Sequence, residues 1–423
     1  MTDVHELDKR DLYRMPWSMN DNPIAWIEIT DICNLHCEGC YRQTLTSHKA
    51  LDDIKAEVLF MKRWRNPDNV SIAGGEPLLH PDIVEIVRYI HEQGIKPIIL
   101  TNAVKLTPEL LRELKAAGLA GFTIHIDSHQ ARPGWEGHNE IEHNALRQEY
   151  AEMIAEVGGL YTVFNSTVYP SSYDEIEGVV AWGRAHIDIV HGLVFITYRT
   201  ATTDDSFGID VQGHEVDLGE LSYSTTRYEQ DFVRGPEVVA AIRRAEPTYA
   251  PAGYLGGTVR HDSFKWIAGA MIGNRHGVFG SVGKRTMELA QTAHHFFRGN
   301  YMAYLSHSRI GAKIFALGLV DPQVRAAAGR WLRDILRHPA HLFSPVRIQS
   351  MGIIQAPDVQ ADGRADMCDS CPDMTYWNGT LVNSCRMDEY RLFGGLLSVA
   401  QRDAQLAEKA PEAMPQPEPA SES

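Results

Sequence analysis

From residue 24 onward the chain alternates two hydrophobic periods. Ile24-Ala25-Trp26-Ile27-Glu28-Ile29-Thr30 is rich in β-branched and aromatic residues and predicts a strand. Ile54, Val58 and Met61 then fall on one helical face. Val70–Ala73 predicts a second strand, and Ile83, Ile86, Val87 and Ile90 a second helix. Pro97–Leu100 is a third strand, followed by Thr107 as N-cap, Pro108 at the first helical position and Leu110, Leu111 and Leu114. Strands over Gly121–Asp127, Leu160–Val168 and Ile187–Thr197 alternate with helices over Glu140–Val157 and Tyr173–His186. Six strands and five helices in alternation predict a parallel α/β sheet, open or part of a barrel. Polar and glycine residues gather at the strand C-termini, where α/β barrels place their active sites, so residues 23–200 are expected to form a partial (β/α)6 TIM-like barrel.

The pattern changes after residue 200. Residues 201–262 carry many Gly, Thr and Asp and only short apolar runs, which predicts an irregular or small-strand insertion over the barrel mouth. Val324, Ala327, Ala328, Trp331, Leu332, Ile335 and Leu336 keep the spacing of an amphipathic helix, read as core packing. This gives a mainly helical or irregular C-terminal extension over 201–345. Residues 346–400 hold a strand near Val346–Gln355, a second cysteine group and a short helix near Tyr390–Ala400. Residues 1–22 form a polar lead-in, and 401–423, rich in Pro and Glu, cannot build a core.

Charge narrows the partners. Forty basic against 55 acidic residues give a net charge of −15, which argues against general nucleic-acid binding and for a small-molecule substrate. No apolar stretch is long enough to cross a bilayer and the N-terminus lacks a secretory pattern, so a cytoplasmic protein is expected.

The six cysteines fall into two triplets, Cys33/Cys37/Cys40 and Cys368/Cys371/Cys385. In a reducing compartment, grouped thiols point to metal or catalytic roles rather than disulfides. Cys33-x3-Cys37-x2-Cys40 lies in the loop after the first strand, and three thiolates there can hold an iron-sulfur cluster with one iron left open. Zinc, with His36 as fourth ligand, is the alternative. Other polar residues end the following strands. These are Gly74-Gly75-Glu76-Pro77, Thr101-Asn102, and His125 with Asp127, which alternation puts on one inward face. Asn165-Ser166-Thr167 and Tyr198-Arg199 complete the ring, Arg199 being suited to clamp a planar anion or to make a surface salt bridge. His294 and His295, adjacent on a helix, point about 100° apart and make poor joint ligands.

The C-x3-C-x2-C loop, followed by G-G-E-P about 35 residues later and Thr101-Asn102 after strand three, resembles the radical S-adenosylmethionine (SAM) superfamily. The resemblance implies a [4Fe-4S] cluster on Cys33, Cys37 and Cys40 whose open iron chelates SAM. It also implies contacts to that cofactor from Gly74, Gly75, Glu76, Thr101, Asn102, Asp127 and Asn165. His125, Asp127 and Arg199 are then candidates for catalysis or substrate holding, and a flavodoxin or ferredoxin for electron donor. Where the superfamily has an aromatic before the third cysteine, this chain has Gly39, with Tyr41 on the other side as a candidate cofactor contact. Cys368-x2-Cys371-x13-Cys385 resembles the auxiliary-cluster motif of SPASM or twitch extensions and implies a second [4Fe-4S] cluster; a zinc site is the alternative.

The expected activity is reductive cleavage of SAM to a 5′-deoxyadenosyl radical that takes hydrogen from a small molecule, lipid- or pterin-like. The competing expectations are a SPASM-type peptide-modifying enzyme and a non-catalytic metal-binding scaffold.

Overall fold

The computed structural model describes residues 7–43, 45–198, 201–202, 207–216, 224–225, 233–304, 311–359 and 364–401. The expected alternation forms throughout. β1 (Ile24–Glu28), β2 (Asn69–Ala73), β3 (Lys96–Thr101), β4 (Gly121–His125), β5 (Tyr161–Val168) and β6 (Gly192–Thr197) pair in parallel, in that order. Between them run α1 (Leu51–Arg65), α2 (Ile83–Glu92), α3 (Pro108–Ala116), α4 (Asn144–Val157) and α5 (Ile176–Ala185). Thr107 caps α3 by accepting from the Leu110 amide, as its Thr-Pro start predicts. The helices bury their apolar stripes on the sheet, Ile54, Val58 and Met61 of α1 and Ile86, Val87 and Ile90 of α2 among them.

The chain beyond residue 200 adds strands as well as helices to this core. β7 (Gly253–Leu255), β8 (Trp266–Asn274), β9 (Gly277–Ser281) and β10 (Arg347–Gln355) all join the main sheet. From edge to edge it runs Tyr13–Arg14, β7, β8, β10, β6, β5, β4, β3, β2, β1, with β9 paired to β8. β10 is parallel to β6, and β8 is antiparallel to β10. The strand expected near Val346–Gln355 therefore lies in the middle of the sheet.

Residues 201–262 are less irregular than their composition suggested. α6 (Gly235–Ala245) stands there, with Pro236 in its first turn and Val238, Val239 and Ile242 buried. α7 (Lys284–Arg298) and α8 (Pro322–Arg337) follow. In α8 Val324 and Ala327 are buried and Trp331 packs on Phe315, whereas Leu332 and Leu336, expected in the same buried stripe, face solvent. The helix expected near Tyr390–Ala400 is α9 (Met387–Phe393), and Ser398–Gln401 is a strand.

The sheet wraps on itself. The ring of Tyr304 meets that of Tyr161 on β5 edge-on, centroids 5.6 Å apart, and Thr123 on β4 and Ser71 on β2 act on its hydroxyl, so one side chain is set against three strands. A hairpin, β11 (Met374–Trp377) and β12 (Thr380–Asn383), lies against the free edge of β1 and carries Tyr376 onto Phe60 of α1.

Candidate functional site

β1 delivers the chain into the first cysteine loop, whose base closes on itself. Asp31 N donates to Ser47 O at 3.0 Å, Lys49 N to Ile29 O at 3.0 Å, and the Ile32 amide to Thr30 Oγ1 at 3.1 Å. The exit of β2 is laid directly on this loop. Gly75 N donates to Thr30 O at 2.7 Å and Glu76 N to Ile32 O at 2.8 Å. Only glycine permits that approach, since a Cβ at Gly74 or Gly75 would stand 2.3 Å from the Thr30 or Ile32 carbonyl oxygen, and Gly74 has φ +130°.

Glu76 turns its carboxylate toward β3. It accepts from Leu78 N (2.9 Å), Thr101 Oγ1 (2.6 Å) and Asn102 N (2.7 Å). Burial raises its pKa, and these three donors offset part of that rise. Asn102 in turn donates to Asn34 Oδ1 at 2.8 Å and lies 3.9 Å from Cys33 Sγ. The G-G-E and T-N segments thus form one continuous support under the cysteine loop.

All six cysteines are free thiols. Burial pushes the pKa of Cys33, Cys37 and Cys40 up. A thiolate there calls for a positive centre, which is the donor chemistry of a cluster loop. Two buried guanidiniums, Arg132 acting on Cys37 and Arg42 on Cys40, supply some of that positive field. On this count the residues fit the group.

Beside the loop, the end of β4 presents the expected pair. His125 Nε2 lies 2.8 Å from Asp127 Oδ2 and 3.1 Å from Thr167 Oγ1. Burial opposes ionisation of Asp127, yet bonds from His125 and the His129 amide hold its pKa below the ordinary carboxylate value. An ionised Asp127 only accepts, so His125 Nε2 carries the proton and Nδ1 of a neutral ring is an acceptor. Asn165 is the register partner of His125, and its Oδ1 is buried with no hydrogen-bond partner among the described residues. The same register continues through Val194, Gly352 and Ala268.

Arg199 lies outside the described residues. The cation found at the site is Arg132, 4% exposed, which donates to Asn102 O (2.8 Å), His125 O (3.3 Å) and Gln130 Oε1 (3.0 Å) and so ties the end of β3 to that of β4. It lines an open pocket of about 420 Å³ together with His36, Glu38, Asp127, His129 and Trp135. Behind it, Arg147 of α4 binds Ile126 O (2.8 Å) and Ser166 Oγ (3.0 Å) and pairs with Glu140. Gly39 packs against Tyr198 and against Tyr169, an aromatic that sequence reasoning left out. A Cβ there would stand 2.7 Å from Tyr169 Oη and 3.3 Å from the Tyr198 ring, and Tyr169 stacks on His129 with centroids 3.7 Å apart. Tyr41 is on the side of the second cysteine group, where Arg42, Glu28 and Asp373 act on its hydroxyl and burial raises its pKa.

Side chains from the first loop and from α1 hold the segments that carry the second group. The Cys368 thiol bonds to Cys371, which raises the first pKa and lowers the second, and Cys385 is close enough to act on Cys368. Buried Arg65 donates to the Cys371 and Pro372 carbonyls at 2.9 and 2.8 Å, fixing the segment to the end of α1. Arg42, two residues after Cys40, donates to Ser384 O at 2.6 Å, one residue before Cys385, and pairs with Glu28 and Asp388. Among the described residues no three of His, Cys, Asp and Glu gather tightly enough to hold a single metal ion. His294 and His295 diverge as expected, to Asn300 O and to Asp21.

A curved, largely parallel α/β sheet with a thiol loop and polar residues at its strand C-termini defines a barrel-type protein whose site sits at that end. Residues 27–183 match the radical SAM superfamily, whose enzymes use a [4Fe-4S] cluster and SAM. It is 36% identical over 112 residues to the AdoMet-dependent heme synthase of Methanosarcina barkeri, covering 26% of this chain and 32% of that one. It is 28% identical over 182 residues to the 7,8-dihydro-6-hydroxymethylpterin dimethyltransferase of Methanocaldococcus jannaschii (41% and 35%). To the GTP 3′,8-cyclase of Peptoclostridium acidaminophilum it is 32% identical over 186 residues (42% and 56%). The matches thus span from about a third to just over half of these relatives. Streptococcus suis SuiB bound to S-adenosylmethionine aligns over 54% of this chain and 47% of that one, at 18% identity and a TM-score of 0.37.

Proposed function

We propose that this chain cleaves SAM reductively at a [4Fe-4S] cluster held by Cys33, Cys37 and Cys40 and abstracts hydrogen from a small molecule, lipid- or pterin-like, bound over the ends of β4 to β6. The observation that carries this reading is the convergence of Gly75, Glu76 and Asn102 on the cysteine loop, with Asn102 3.9 Å from Cys33 Sγ. When bound, the cluster and SAM supply one-electron cleavage to methionine and a 5′-deoxyadenosyl radical. The chain's own residues bind, orient and move protons. Gly74 and Gly75 leave backbone bare for the methionyl end, Glu76 keeps Thr101 and Asn102 in place, and Tyr41, Asp127 and Asn165 complete the cofactor contacts. His125, oriented by Asp127, offers Nδ1 to a substrate hydroxyl or proton. Arg132 fixes the floor between β3 and β4, and Arg199 remains a candidate anion clamp.

In the same reading Cys368, Cys371 and Cys385 hold a second [4Fe-4S] cluster that binds substrate or relays electrons. A flavodoxin or ferredoxin in the cytoplasm supplies the reducing electron.

The test is iron, sulfide and zinc per chain on anaerobically reconstituted protein, with 5′-deoxyadenosine assayed after dithionite and SAM. About eight irons with nucleoside formation is the expected result for two four-iron clusters. About four irons and one zinc would remove the second cluster, and no nucleoside would favour a scaffold. Cys37→Ala should abolish nucleoside formation. Cys371→Ala should lower iron by about half and spare uncoupled cleavage.

A further inference from the structure

Between residues 311 and 345 the fold turns large apolar side chains outward. The inner face of α8 is already satisfied: Val324 and Ala327 are buried and Trp331 rests on Phe315, ring centroids 4.9 Å apart. Its outer face nonetheless carries Leu332, 53% exposed, and Leu336, 81% exposed. The turns before and after the helix continue the same character, with Leu319 at 87% and Phe343 at 86%.

Basic residues frame these side chains. Lys313, Arg325, Arg333 and Arg337 are all exposed, and among the described residues none of them makes an ion pair. The two acids of the segment are turned away from this face. Asp321 is 1% exposed and caps α8 by accepting from the Gln323 and Val324 amides, while Asp334 pairs with His341 at 2.9 Å. Residues 311–345 therefore hold five basic against two acidic residues, within a chain of net charge −15. The local field has the opposite sign to the whole.

We propose that this face, built on α8 and its two flanking turns, docks on an anionic phospholipid surface. An outward helix face of Leu flanked by Arg is what a helix lying in the interfacial plane needs, with apolar tips below the headgroups and guanidiniums among the phosphates. Arginine stems can lie along the apolar layer while their heads stay at its edge. Protein interfaces concentrate their energy in packed, desolvated pockets; here single side chains project from a convex helix and its turns. No helix among the described residues is long and apolar enough to cross a membrane, so the contact is a surface one.

The experiment is sedimentation of the anaerobically reconstituted full chain with phosphatidylcholine vesicles, with and without phosphatidylglycerol. The wild type should pellet with the anionic vesicles, less so in high salt, and stay in the supernatant with the neutral ones. Leu336→Glu and Phe343→Glu, both at exposed positions, should weaken binding about tenfold or more with unchanged melting by circular dichroism. Three results would each overturn the proposal: no pelleting with anionic vesicles, equal pelleting with both kinds, or undiminished binding by both variants. A dimer in light scattering that Leu336→Glu splits, with no vesicle binding by the wild type, would assign the face to a second copy of the chain instead.

Discussion

Ala103 follows Thr101-Asn102 with φ +61°, fully buried, in a backbone region that costs an L-residue roughly 1–2 kcal/mol. Glycine relieves that strain but loses more freedom on folding. Ala103→Gly should therefore shift stability by less than about 1 kcal/mol, while Ala103→Val, β-branched and without space, should cost more than about 2 kcal/mol in urea unfolding. Asn165 gives a sharper separation of function from stability. Its buried oxygen, unpaired among the described residues, gains no hydrogen bond on folding, so Asn165→Leu should leave the unfolding midpoint near the wild-type value, the change being within about 1 kcal/mol. Consumption of substrate should fall tenfold or more in the same variant if that oxygen holds a ligand; unchanged turnover would remove Asn165 from the site. At this scale the legible residues were those on strands. Alternation alone paired His125 with Asp127, and they bond at 2.8 Å. Arg132 and Tyr169 come from loops, where no period announces which way a side chain points.

The first six strands and five helices were legible as elements because each carries an unbroken apolar period on one face. α6 was hidden by the glycine- and threonine-rich stretch before it, although Pro236 with Val238, Val239 and Ile242 marks a helix start and stripe. β8, Trp266-Ile267-Ala268-Gly269-Ala270-Met271-Ile272-Gly273-Asn274, is rich in glycine and alanine and has little intrinsic strand preference. Its pairing with β10 places it in the sheet. The tie between the first cysteine loop and the segment around Cys385 is likewise a tertiary fact. Arg42 pairs with Glu28 and Asp388, all three nearly fully buried, and Arg391 reaches Asp31 at 2.6 Å and Glu28 at 3.7 Å. Removing one member of a buried charge network strands the others, at about 3–5 kcal/mol. Arg42→Met should cost an amount near the lower end of that range, since Arg391 and the Trp26 indole still face Glu28. Proteolysis should then cleave residues 368–401 faster than the rest of the chain. Cleavage at the wild-type rate would mean that Arg42 does not hold the second group against the first.

Over the whole molecule, the change of sequence pattern near residue 200 suggested a barrel followed by a covering extension, and the strand order ties the two more closely. β10 hydrogen-bonds to β6 from Ser350–Gly192 to Gln355–Thr197, and on its other side to β8 over eight residue pairs. Met351 and Ile353, each 1% exposed, fill the core beneath it. A chain ending at residue 200 would leave all of β6 as an open hydrophobic edge, the arrangement that templates aggregation. It would also lose the burial of those two side chains, about 1.5–3 kcal/mol each, from a total margin of only about 5–15 kcal/mol. Residues 1–200 alone should therefore be recovered largely insoluble, or unfold without a cooperative transition in urea. Ending the chain at residue 401 keeps every described strand and should preserve solubility and the wild-type midpoint. A soluble, cooperatively folding 1–200 piece would show that β1 to β6 close their own edge and that the later strands are an added layer.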